Sequence, residues 1–438
     1  MTELAPRLTN DTLQLDLELI RRGWFTDRYF LNISRILEIL SQSGATISAG
    51  DQEDYPVGDA RVEMQWFTRR PGATIVAGID AALVMLRECT GHWQGDQFVN
   101  TSDRLEVWAV QEGDKVEYGG DPEEVAPVLR VRGPYRFFAN LETTTLGVLT
   151  RASRVATNCY NLLVAANGKP VLFFPARYDL PETQAIDGYA YQLAVQVYNR
   201  DHGTNVAPFI STDAQGAWWG GKGGGTIPHA AIASFLGDTP ATTLAFAEIM
   251  PPELPRIALT DFHNDNVRES LAVLAAMFAR YRELKESGND AEAEKFRLFG
   301  VRLDTSNALR DVSVPYTGDP GEDLGVTPRL VQNVRAALDS ASESWDLPEA
   351  WREPARDFCR AVKIVVSGGF DVEKIARFES GNVPVDVYAV GSAAFDNHGP
   401  TLTDFTADVV RIYLNGEWVP MAKVGRRPGQ NPSLHRVW

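Results

Sequence analysis

The sequence predicts an α/β protein: an irregular (β/α) barrel with an N-terminal α+β domain that the C-terminal segment rejoins. Beyond residue 140, short apolar runs typical of buried strands alternate with amphipathic helical patterns, which indicates βα repeats around a parallel sheet. Before and after this region, apolar and polar residues alternate singly, as in antiparallel strands with one covered face. These patterns divide the chain into residues 1–140, 141–396 and 397–438. An open doubly wound sheet is the alternative arrangement of the repeats.

The composition is that of an ordinary globular protein and limits its partners. The 438 residues are 44% hydrophobic and 23% charged, and a net charge of -16 argues against nucleic acid. No apolar run approaches the roughly 18 residues of a membrane span, and residues 1–15 lack the pattern of a signal peptide. Cys89, Cys159 and Cys359 are scattered without a C-x-x-C pair. We therefore expect a cytoplasmic protein with no membrane contact, no zinc site and no disulfide framework.

The first domain combines helical and alternating patterns. Leu13–Ile47 contains helical segments around an aromatic cluster, Trp24 to Phe30, which includes Asp27, Arg28 and Tyr29. Such a cluster serves either as core with a surface ion pair or as a lid over a binding site. Val57–Arg132 alternates apolar and polar residues around one helix-like stretch, Ile79–Glu88, and so predicts an antiparallel sheet.

The barrel region is read from runs of apolar residues and from helix signals. The predicted strands are Val171–Phe174, Gly223–Pro228, Ile257–Asp261, Leu298–Asp304, Ile364–Val366 and Val385–Val390. The predicted helices are Leu141–Ala166, Thr183–Arg200, Val267–Glu286, Pro328–Ala341 and one that Asp371 caps and Gly381 ends. The closing segment, Phe405–Trp438, again reads as antiparallel strands, with Asn415-Gly416 as a hairpin turn.

Two glycine loops follow the last two strands of the repeat region. Ser367-Gly368-Gly369 comes after one strand and Gly391-Ser392 after the next. In parallel sheets, ligands lie beyond the carboxyl ends of strands, and glycine lets backbone amides approach a phosphate closely. The sequence therefore predicts a phosphate site here, although glycine-rich turns alone are a weak motif.

Ionisable and aromatic residues stand at the other strand ends. Arg302 and Asp304 are two apart on a strand, so their side chains share a face. Arg302 suits an anionic group and Asp304 suits a ribose hydroxyl or Mg²⁺; the alternative is a structural ion pair between the two. His229 opens a helix and needs a carboxylate to set its tautomer; Asp261, Glu142 and Asp213 are candidates. Phe174 and Arg177 suit a planar ring that carries a carboxylate.

These segments together resemble the nicotinate phosphoribosyltransferase family, within the type II phosphoribosyltransferases. The resemblance lies in short pieces that occur in the family's order across nearly the whole chain: Asp27-Arg28-Tyr29, Leu141-Glu142-Thr143-Thr144, Phe174-Pro175-Ala176-Arg177, Gly225-Thr226-Ile227-Pro228-His229, Leu259-Thr260-Asp261, Gly300-Val301-Arg302-Leu303-Asp304, Ser367-Gly368-Gly369 and Val390-Gly391-Ser392. No G-x-S-x-G elbow, H-E-x-x-H motif or Walker A loop is present.

The resemblance implies transfer of a phosphoribosyl group from PRPP to nicotinate, with ATP as a co-substrate, Mg²⁺ as cofactor and a homodimer or larger homo-oligomer whose sites are completed across subunits. It implies that Tyr29 of a second copy stacks on nicotinate opposite Phe174, and that Arg177 binds anionic groups. The expected 5′-phosphate ligands are the loops Gly368-Gly369 and Gly391-Ser392, and Ser367 is a further expected substrate-binding residue.

The same resemblance assigns the chemical roles. Asp304 would hold ribose hydroxyls or Mg²⁺, and Arg302 and Thr305 complete the expected substrate-binding residues. His229 matches the histidine that ATP phosphorylates in the family, and Asp261 joins His229 and Asp304 as a catalytic residue.

The chain departs from the family pattern at several positions, so alternatives stay open. Phe173, Pro175, Tyr178 and Ala230 replace residues common in the family, which puts base specificity and ATP coupling in question. Quinolinate would need decarboxylation and more basic residues near the ring, and nicotinamide would leave Arg177 without a carboxylate. A non-catalytic PRPP-binding protein, or an unrelated phosphate-sugar barrel enzyme with a catalytic Lys or Glu, are the other readings.

Overall fold

The structure is a computed structural model that describes residues 6–49 and 52–438. The helices of its N-terminal part are α1 (Asn10–Leu13), α2 (Leu17–Arg21), α3 (Arg28–Gln42) and α4 (Ile79–Cys89). The strands of this part are β1 (Ile47–Ala49), β2 (Gln52–Tyr55), β3 (Arg61–Thr68), β4 (Gly72–Ile75), β5 (Gly91–Gln94), β6 (Gln97–Asn100), β7 (Glu106–Ala109), β8 (Lys115–Tyr118) and β9 (Leu129–Pro134).

The remainder of the chain alternates helices with short strands before ending in three more strands. The helices are α5 (Glu142–Ala165), α6 (Gln184–His202), α7 (His229–Ser234), α8 (Thr239–Ile249), α9 (Asn266–Glu286), α10 (Asp290–Glu294), α11 (Pro320–Asp323), α12 (Pro328–Ser340), α13 (Glu349–Arg360) and α14 (Val372–Ser380). The strands are β10 (Val171–Phe173), β11 (Ile257–Leu259), β12 (Gly300–Leu303), β13 (Lys363–Val366), β14 (Val387–Val390), β15 (Phe405–Leu414), β16 (Glu417–Pro420) and β17 (His435–Arg436).

An antiparallel sheet in the order β16-β15-β3-β9-β7-β17 joins the two ends of the chain. β15 pairs with β3 from Phe405 opposite Thr68 to Ile412 opposite Val62, so the C-terminal segment is part of the N-terminal sheet. Glu63 reinforces this pairing because its fully buried carboxylate binds Arg411 of β15 and Arg132 of β9.

A tight turn between β15 and β16 follows directly from the sequence. Asn415 and Gly416 both have positive φ, 48° and 88°, as a two-residue type I′ turn requires. The strands on either side pair antiparallel, with Leu414 opposite Glu417, which confirms the predicted hairpin.

The second sheet is parallel, in the order β10-β14-β13-β12-β11. Its strands are nearly continuous runs of buried apolar residues. The side chains on one face belong to the main core of the protein, and those on the other, such as Leu172, Val365 and Val387, form a separate, smaller cluster. Two isolated parallel bridges, Phe173 to Ile210 and Ile210 to Gly223, extend the sheet beyond β10. At the other edge, Ile227 packs into one cluster with Leu259 of β11.

The parallel sheet is therefore curled but not a closed barrel. In residues 6–49 and 52–438 no ladder connects β11 to the segment around Gly223, and side chains rather than backbone bonds fill the gap. The predicted strand over Gly223–Pro228 is wrong beyond its first residue, because glycines offer no side chains to pack and Pro228 has no N–H to donate. The bridging residue Ile210 was not predicted.

The other predicted barrel elements are present with small changes in their ends, such as β12, which begins at Gly300 rather than Leu298. The three cysteines are free and buried. No helix among the described residues is both long enough and apolar enough to cross a membrane. The division into three domains stays a prediction.

Candidate functional site

A cleft of about 560 Å³ lies beyond the carboxyl ends of the parallel strands. It collects loops that are far apart in sequence, because all five strands run in the same direction and end at one edge of the sheet. Its lining consists of Phe174, Ala176, Arg177, Tyr178, Ser211, Thr212, Gly224, Gly225, Thr226, Ile227, Pro228, Arg302, Asp304, Ser367, Gly368, Gly369, Phe370, Ala389, Gly391 and Ser392.

The two glycine loops enter this cleft side by side, since β13 and β14 are neighbours in the sheet. Gly368 and Gly369 have φ of 88° and 69°, a region that side chains strongly disfavour. A Cβ at Gly391 would lie 2.7 Å from a ring carbon of Tyr178. Glycine is therefore favoured at Gly368 and Gly369 by the backbone conformation, whereas a side chain at Gly391 would have to displace the exposed ring of Tyr178.

The amides of the two loops are available to a ligand. Among the described residues, none accepts a hydrogen bond from the backbone N–H groups of Gly368, Gly369, Gly391 or Ser392. The helix α14 begins just after the first loop, capped by Asp371, whose side chain accepts from the amide of Lys374 at 2.8 Å. Free amides beside a helix N-terminus form a favourable environment for an anion.

Arg302, Asp304 and Ser367 form a connected group on the cleft floor. The hydroxyl of Ser367 donates to Asp304 Oδ1 at 2.6 Å, and Arg302 Nη2 lies 3.4 Å from Asp304 Oδ2. Arg302 and Asp304 share a face because they stand two apart along β12 and its end. Arg302 Nε is buried and has no partner in the described chain. The group thus combines a fixed carboxylate with a guanidinium that still has N–H groups to donate.

His229 and Asp261 form a second polar pair, and neither lines the cleft, although Pro228, the residue before His229, does. His229 Nε2 lies 2.9 Å and 3.0 Å from the two carboxylate oxygens of Asp261. Burial and the charge of Asp304 raise the pKa of Asp261, whereas the interaction with His229 opposes this shift. Because the carboxylate accepts from Nε2–H, the lone pair of neutral His229 lies on Nδ1, and 44% of this side chain is exposed.

Asp261 is thus the partner of His229 among the three carboxylates considered from sequence. Asp213 instead accepts from the amide of Gly223 at 2.9 Å. Glu142 lies at the start of α5 near Asp27 and Asp408, where burial and these like charges raise its pKa to about 8.

Phe174, Arg177 and Tyr178 form the wall of the cleft beyond β10. Phe174 packs against Phe209, with 5.9 Å between the ring centroids, and presents an aromatic surface to the cleft. Arg177 is exposed and its guanidinium carbon lies 6.0 Å from the ring centre of Tyr178. This wall can accommodate a flat ring and an anionic substituent.

Two more residues of the predicted site, besides His229 and Asp261, do not line the cleft in the single chain. Tyr29 stands at the start of α3 with 62% of its surface exposed, and it does not line the cleft. Thr305 is buried, and its hydroxyl accepts from Asn266 Nδ2 at 2.9 Å, so its side chain supports the loop after β12 rather than facing the cleft.

Lys374 is a cation near the cleft that sequence reasoning missed. Its ammonium group donates to the carbonyl of Gly368 at 3.2 Å and lies 4.3 Å from the centre of the Phe370 ring. Burial and the nearby Arg377 lower its pKa to about 8. The sequence feature that could have indicated this contact is the position of Lys374 three residues after the capping Asp371, from which a long side chain can reach back to the glycine loop.

The cleft suits Mg²⁺ only in company with a substrate. In the part of the chain that the structure describes, no group of three or more His, Cys, Asp or Glu residues could hold a metal ion. Asp304 offers a single carboxylate there, bonded to Ser367. Mg²⁺ commonly binds one or two carboxylates together with waters and substrate phosphates, so this donor set fits a phosphate-bound Mg²⁺.

Comparisons with known proteins agree with this architecture. Residues 46–153 match the family model described as the N-terminal domain of quinolinate phosphoribosyl transferase. A nicotinate-nucleotide pyrophosphorylase from Pyrococcus furiosus is similar in structure, with a TM-score of 0.62 and 25% identity, over 97% of this chain and 85% of that chain. Human nicotinic acid phosphoribosyltransferase shares the fold, with a TM-score of 0.54 and 18% identity, over 89% of this chain and 75% of that chain. No curated protein sequence matches the chain.

Proposed function

We propose, from the premise that the chain belongs to the type II phosphoribosyltransferases, that it transfers a phosphoribosyl group from PRPP to nicotinate in NAD synthesis. The products would be nicotinate mononucleotide and pyrophosphate. The reaction would be coupled to ATP hydrolysis through His229.

One observation carries this proposal: two adjacent glycine loops, whose amides have no acceptor in the described chain, line a cleft that also contains the Arg302–Asp304–Ser367 group. The amides of Gly368, Gly369, Gly391 and Ser392 would bind the 5′-phosphate. The ribose would then extend toward Asp304, whose carboxylate is held in place by Ser367. A phosphate site beside a carboxylate that can accept from hydroxyls is the pattern expected for a ribose 5-phosphate.

The acceptor is proposed from the charges on the cleft wall. Arg177 and Arg302 are the cationic side chains that line the cleft in the described chain, and Arg302 is already close to Asp304. Arg177 is thus left to bind one carboxylate while Phe174 contacts the ring. A single free arginine suits a monocarboxylate such as nicotinate better than the dicarboxylate quinolinate.

The chemistry needs positioning rather than a strong base. The ring nitrogen of the acceptor attacks C1 of PRPP with its own lone pair as the C1–O bond to pyrophosphate breaks, and the leaving group takes that electron pair. Positive charge builds on the ribose, as in other glycosyl transfers. Phe174 and Arg177 would hold the ring nitrogen in line with C1, and the glycine loops would fix the ribose, which lowers the entropic part of the barrier.

Asp304 would hold Mg²⁺ through its carboxylate, together with oxygens of PRPP. A bound Mg²⁺ neutralises the charge that develops on the leaving pyrophosphate. Arg302 lies beside the same carboxylate and would donate to the same leaving group from its free N–H groups.

His229 would accept a phosphoryl group from ATP on Nδ1, because Asp261 occupies Nε2. The matched control is His263, whose side chain is 45% exposed and whose Nδ1 lies 2.8 Å from Glu269, but which, unlike His229, does not follow a cleft-lining residue. His229→Ala should abolish ATP stimulation and phosphoenzyme formation from γ-labelled ATP, whereas His263→Ala should retain both. Equal phosphoenzyme in the two variants would remove the proposed role of His229.

A second copy of the chain would complete each cleft by bringing Tyr29 opposite Phe174. Large apolar side chains are exposed together on α3 and the turn before it, which supports a covered surface: Trp24, Phe25, Tyr29, Ile36 and Ile39. Mixing inactive Tyr29→Ala and Asp304→Asn subunits should restore roughly a quarter of wild-type activity, because half the dimers are mixed and each has one intact site.

The control for this mixing experiment pairs Asp304→Asn with Gly391→Ala, two changes in one cleft. That pair should not recover activity. Recovery equal to that of the Tyr29 pair, or no recovery in either, would contradict a site shared between subunits.

The acceptor is tested by measuring pyrophosphate release from PRPP and Mg²⁺ with nicotinate, nicotinamide or quinolinate, each with and without ATP. Turnover with nicotinate alone, stimulated by ATP, is the expected result. Arg177→Ala should lower kcat/KM for nicotinate by about 10- to 100-fold, the value of a charge-assisted hydrogen bond, while Arg268→Ala, at an exposed site, should not. Preference for quinolinate, or no turnover with any acceptor, would refute the assignment.

A further inference from the structure

A second basic pocket lies in the N-terminal part of the chain, outside the catalytic cleft. Its volume is about 310 Å³, and it is enclosed by α3, the β5–β6 hairpin and the turn around Arg136. Four arginines line it, Arg21, Arg22, Arg35 and Arg136, together with a single carboxylate, Glu38. We call these four residues and the space between them the arginine pocket. Such a concentration of positive charge is unexpected in a chain of net charge -16.

Aromatic rings hold three of the four guanidinium groups in place. Arg21 lies 5.2 Å from the ring centre of Phe98, and Arg22 lies 4.5 Å from that of Trp93. Arg136 lies 4.1 Å from the ring centre of Phe137. A guanidinium that is already ordered loses less side-chain entropy when it binds an anion.

Two of these arginines keep one N–H edge free. Arg22 and Arg136 use Nε and Nη2 to bind Glu18 and Asp59. Within the described chain no hydrogen bond involves Nη1 of either, and the carboxylates that they bind are not part of the pocket lining. Arg21 is more fully engaged, because it interacts with Glu88 and with the thiol of Cys89. Planar groups with a free edge in a concave site match the geometry of phosphate oxygens.

Other lining residues have unused hydrogen-bonding groups as well. Arg35, on α3, has no ion-pair partner among the residues that the structure describes. Ser34 Oγ and His92 Nδ1, on residues of the same lining, are buried and likewise lack a protein partner there. Buried polar groups in folded proteins are nearly always bonded to something, so a ligand or ordered water is expected beside them.

We propose that the arginine pocket binds a phosphate-bearing small molecule, separately from the substrates of the catalytic cleft. None of its residues lines that cleft. A volume near the lower end of the usual range for ligand sites limits the ligand to about the size of a mononucleotide.

Titration calorimetry with inorganic pyrophosphate tests this proposal, because the probe carries the phosphate chemistry alone. Wild-type protein should bind two pyrophosphates per chain. Arg35→Ala should weaken one of the two by about tenfold or more, since it removes a charge-assisted contact. Arg302→Ala should weaken the other, because Arg302 is the side chain proposed to bind the leaving pyrophosphate in the catalytic cleft. Arg268→Ala, which removes an exposed arginine elsewhere, should leave both unchanged.

Two further variants keep the result interpretable. Arg35→Lys should recover part of the affinity through its charge, and the double variant Arg22→Ala with Arg35→Ala should abolish binding at this site. A single pyrophosphate per chain that Arg35→Ala leaves unchanged would overturn the proposal. So would an Arg35→Ala variant that changes the oligomeric mass but not pyrophosphate binding, because a second copy would then cover the pocket.

Discussion

Replacement of Gly368 by alanine separates backbone strain from the proposed contact with the substrate phosphate. The φ of Gly368 is 88°, where an alanine costs about 1–2 kcal/mol relative to glycine. Its new Cβ would lie 3.5 Å from the Thr305 carbonyl oxygen and 3.6 Å from Asp304 Oδ1, which are ordinary contact distances. The protein should therefore fold, with a small loss of stability.

Catalysis should suffer much more than stability. Relaxation of the strained loop would turn the Gly368 amide away from the 5′-phosphate, and one charge-assisted hydrogen bond is worth about 1.5–3 kcal/mol. We expect kcat/KM for PRPP to fall by about 10- to 100-fold.

Gly288→Ala is the matched control. Gly288 has a φ of 76°, follows α9, and has no atom within 4 Å of an added Cβ. Both variants should lower the urea midpoint by a similar amount, whereas Gly288→Ala should keep wild-type kinetics. Equal kcat/KM in the two variants would show that the Gly368 loop does not bind the substrate.

Three further predictions concern single polar groups. Asp261→Asn should reduce phosphorylation by ATP by on the order of 100-fold, because asparagine no longer enforces Nε2–H on His229; unchanged labelling from γ-labelled ATP would refute this. Arg256→Leu should lower the free energy of unfolding by at least about 3 kcal/mol, since its buried guanidinium donates to five backbone carbonyls in and after α8 and after α10; a urea midpoint equal to that of Arg268→Leu would contradict it. Lys374 has a pKa of about 8, below its unfolded value, so between about pH 8 and 10 the unfolded state binds more protons and stability rises with pH. Between about pH 8 and 10 the urea midpoint of the wild type should therefore rise relative to that of Lys374→Met. Midpoints that change with pH in the same way for both proteins would refute the lowered pKa of Lys374.

The ends of the last two parallel strands could be predicted because each apolar run stops where a glycine loop begins, and a capping residue starts the next helix after the first of these loops. β13 and β14 are short runs of buried apolar residues that stop at glycines, and Asp371 caps the next helix through its own side chain. The pairing of His229 with Asp261 was one of three options in the sequence, because a distance between two loops depends on the sheet order.

Other features depend on tertiary context that leaves no local signal. Ile210 joins the sheet through isolated bridges, without a run of strand residues. The edge of the sheet near Ile227 is filled by side chains rather than by a paired strand, so the alternation of apolar and polar residues along the chain does not predict it. The hydroxyl of Thr305 accepts a hydrogen bond from Asn266, the first residue of α9, and so does not face the cleft. The four arginines of the arginine pocket come from three separate segments of the chain. In the sequence, each of these segments taken alone is typical of a solvated surface.

The proposed function rests on binding of the 5′-phosphate of PRPP by the two glycine loops. A crystal structure of the protein with PRPP and Mg²⁺ is the decisive experiment. We expect phosphate oxygens within hydrogen-bonding distance of the amides of Gly368, Gly369, Gly391 and Ser392, with the ribose hydroxyls beside Asp304. A 5′-phosphate bound elsewhere, with these amides in contact only with solvent, would contradict it.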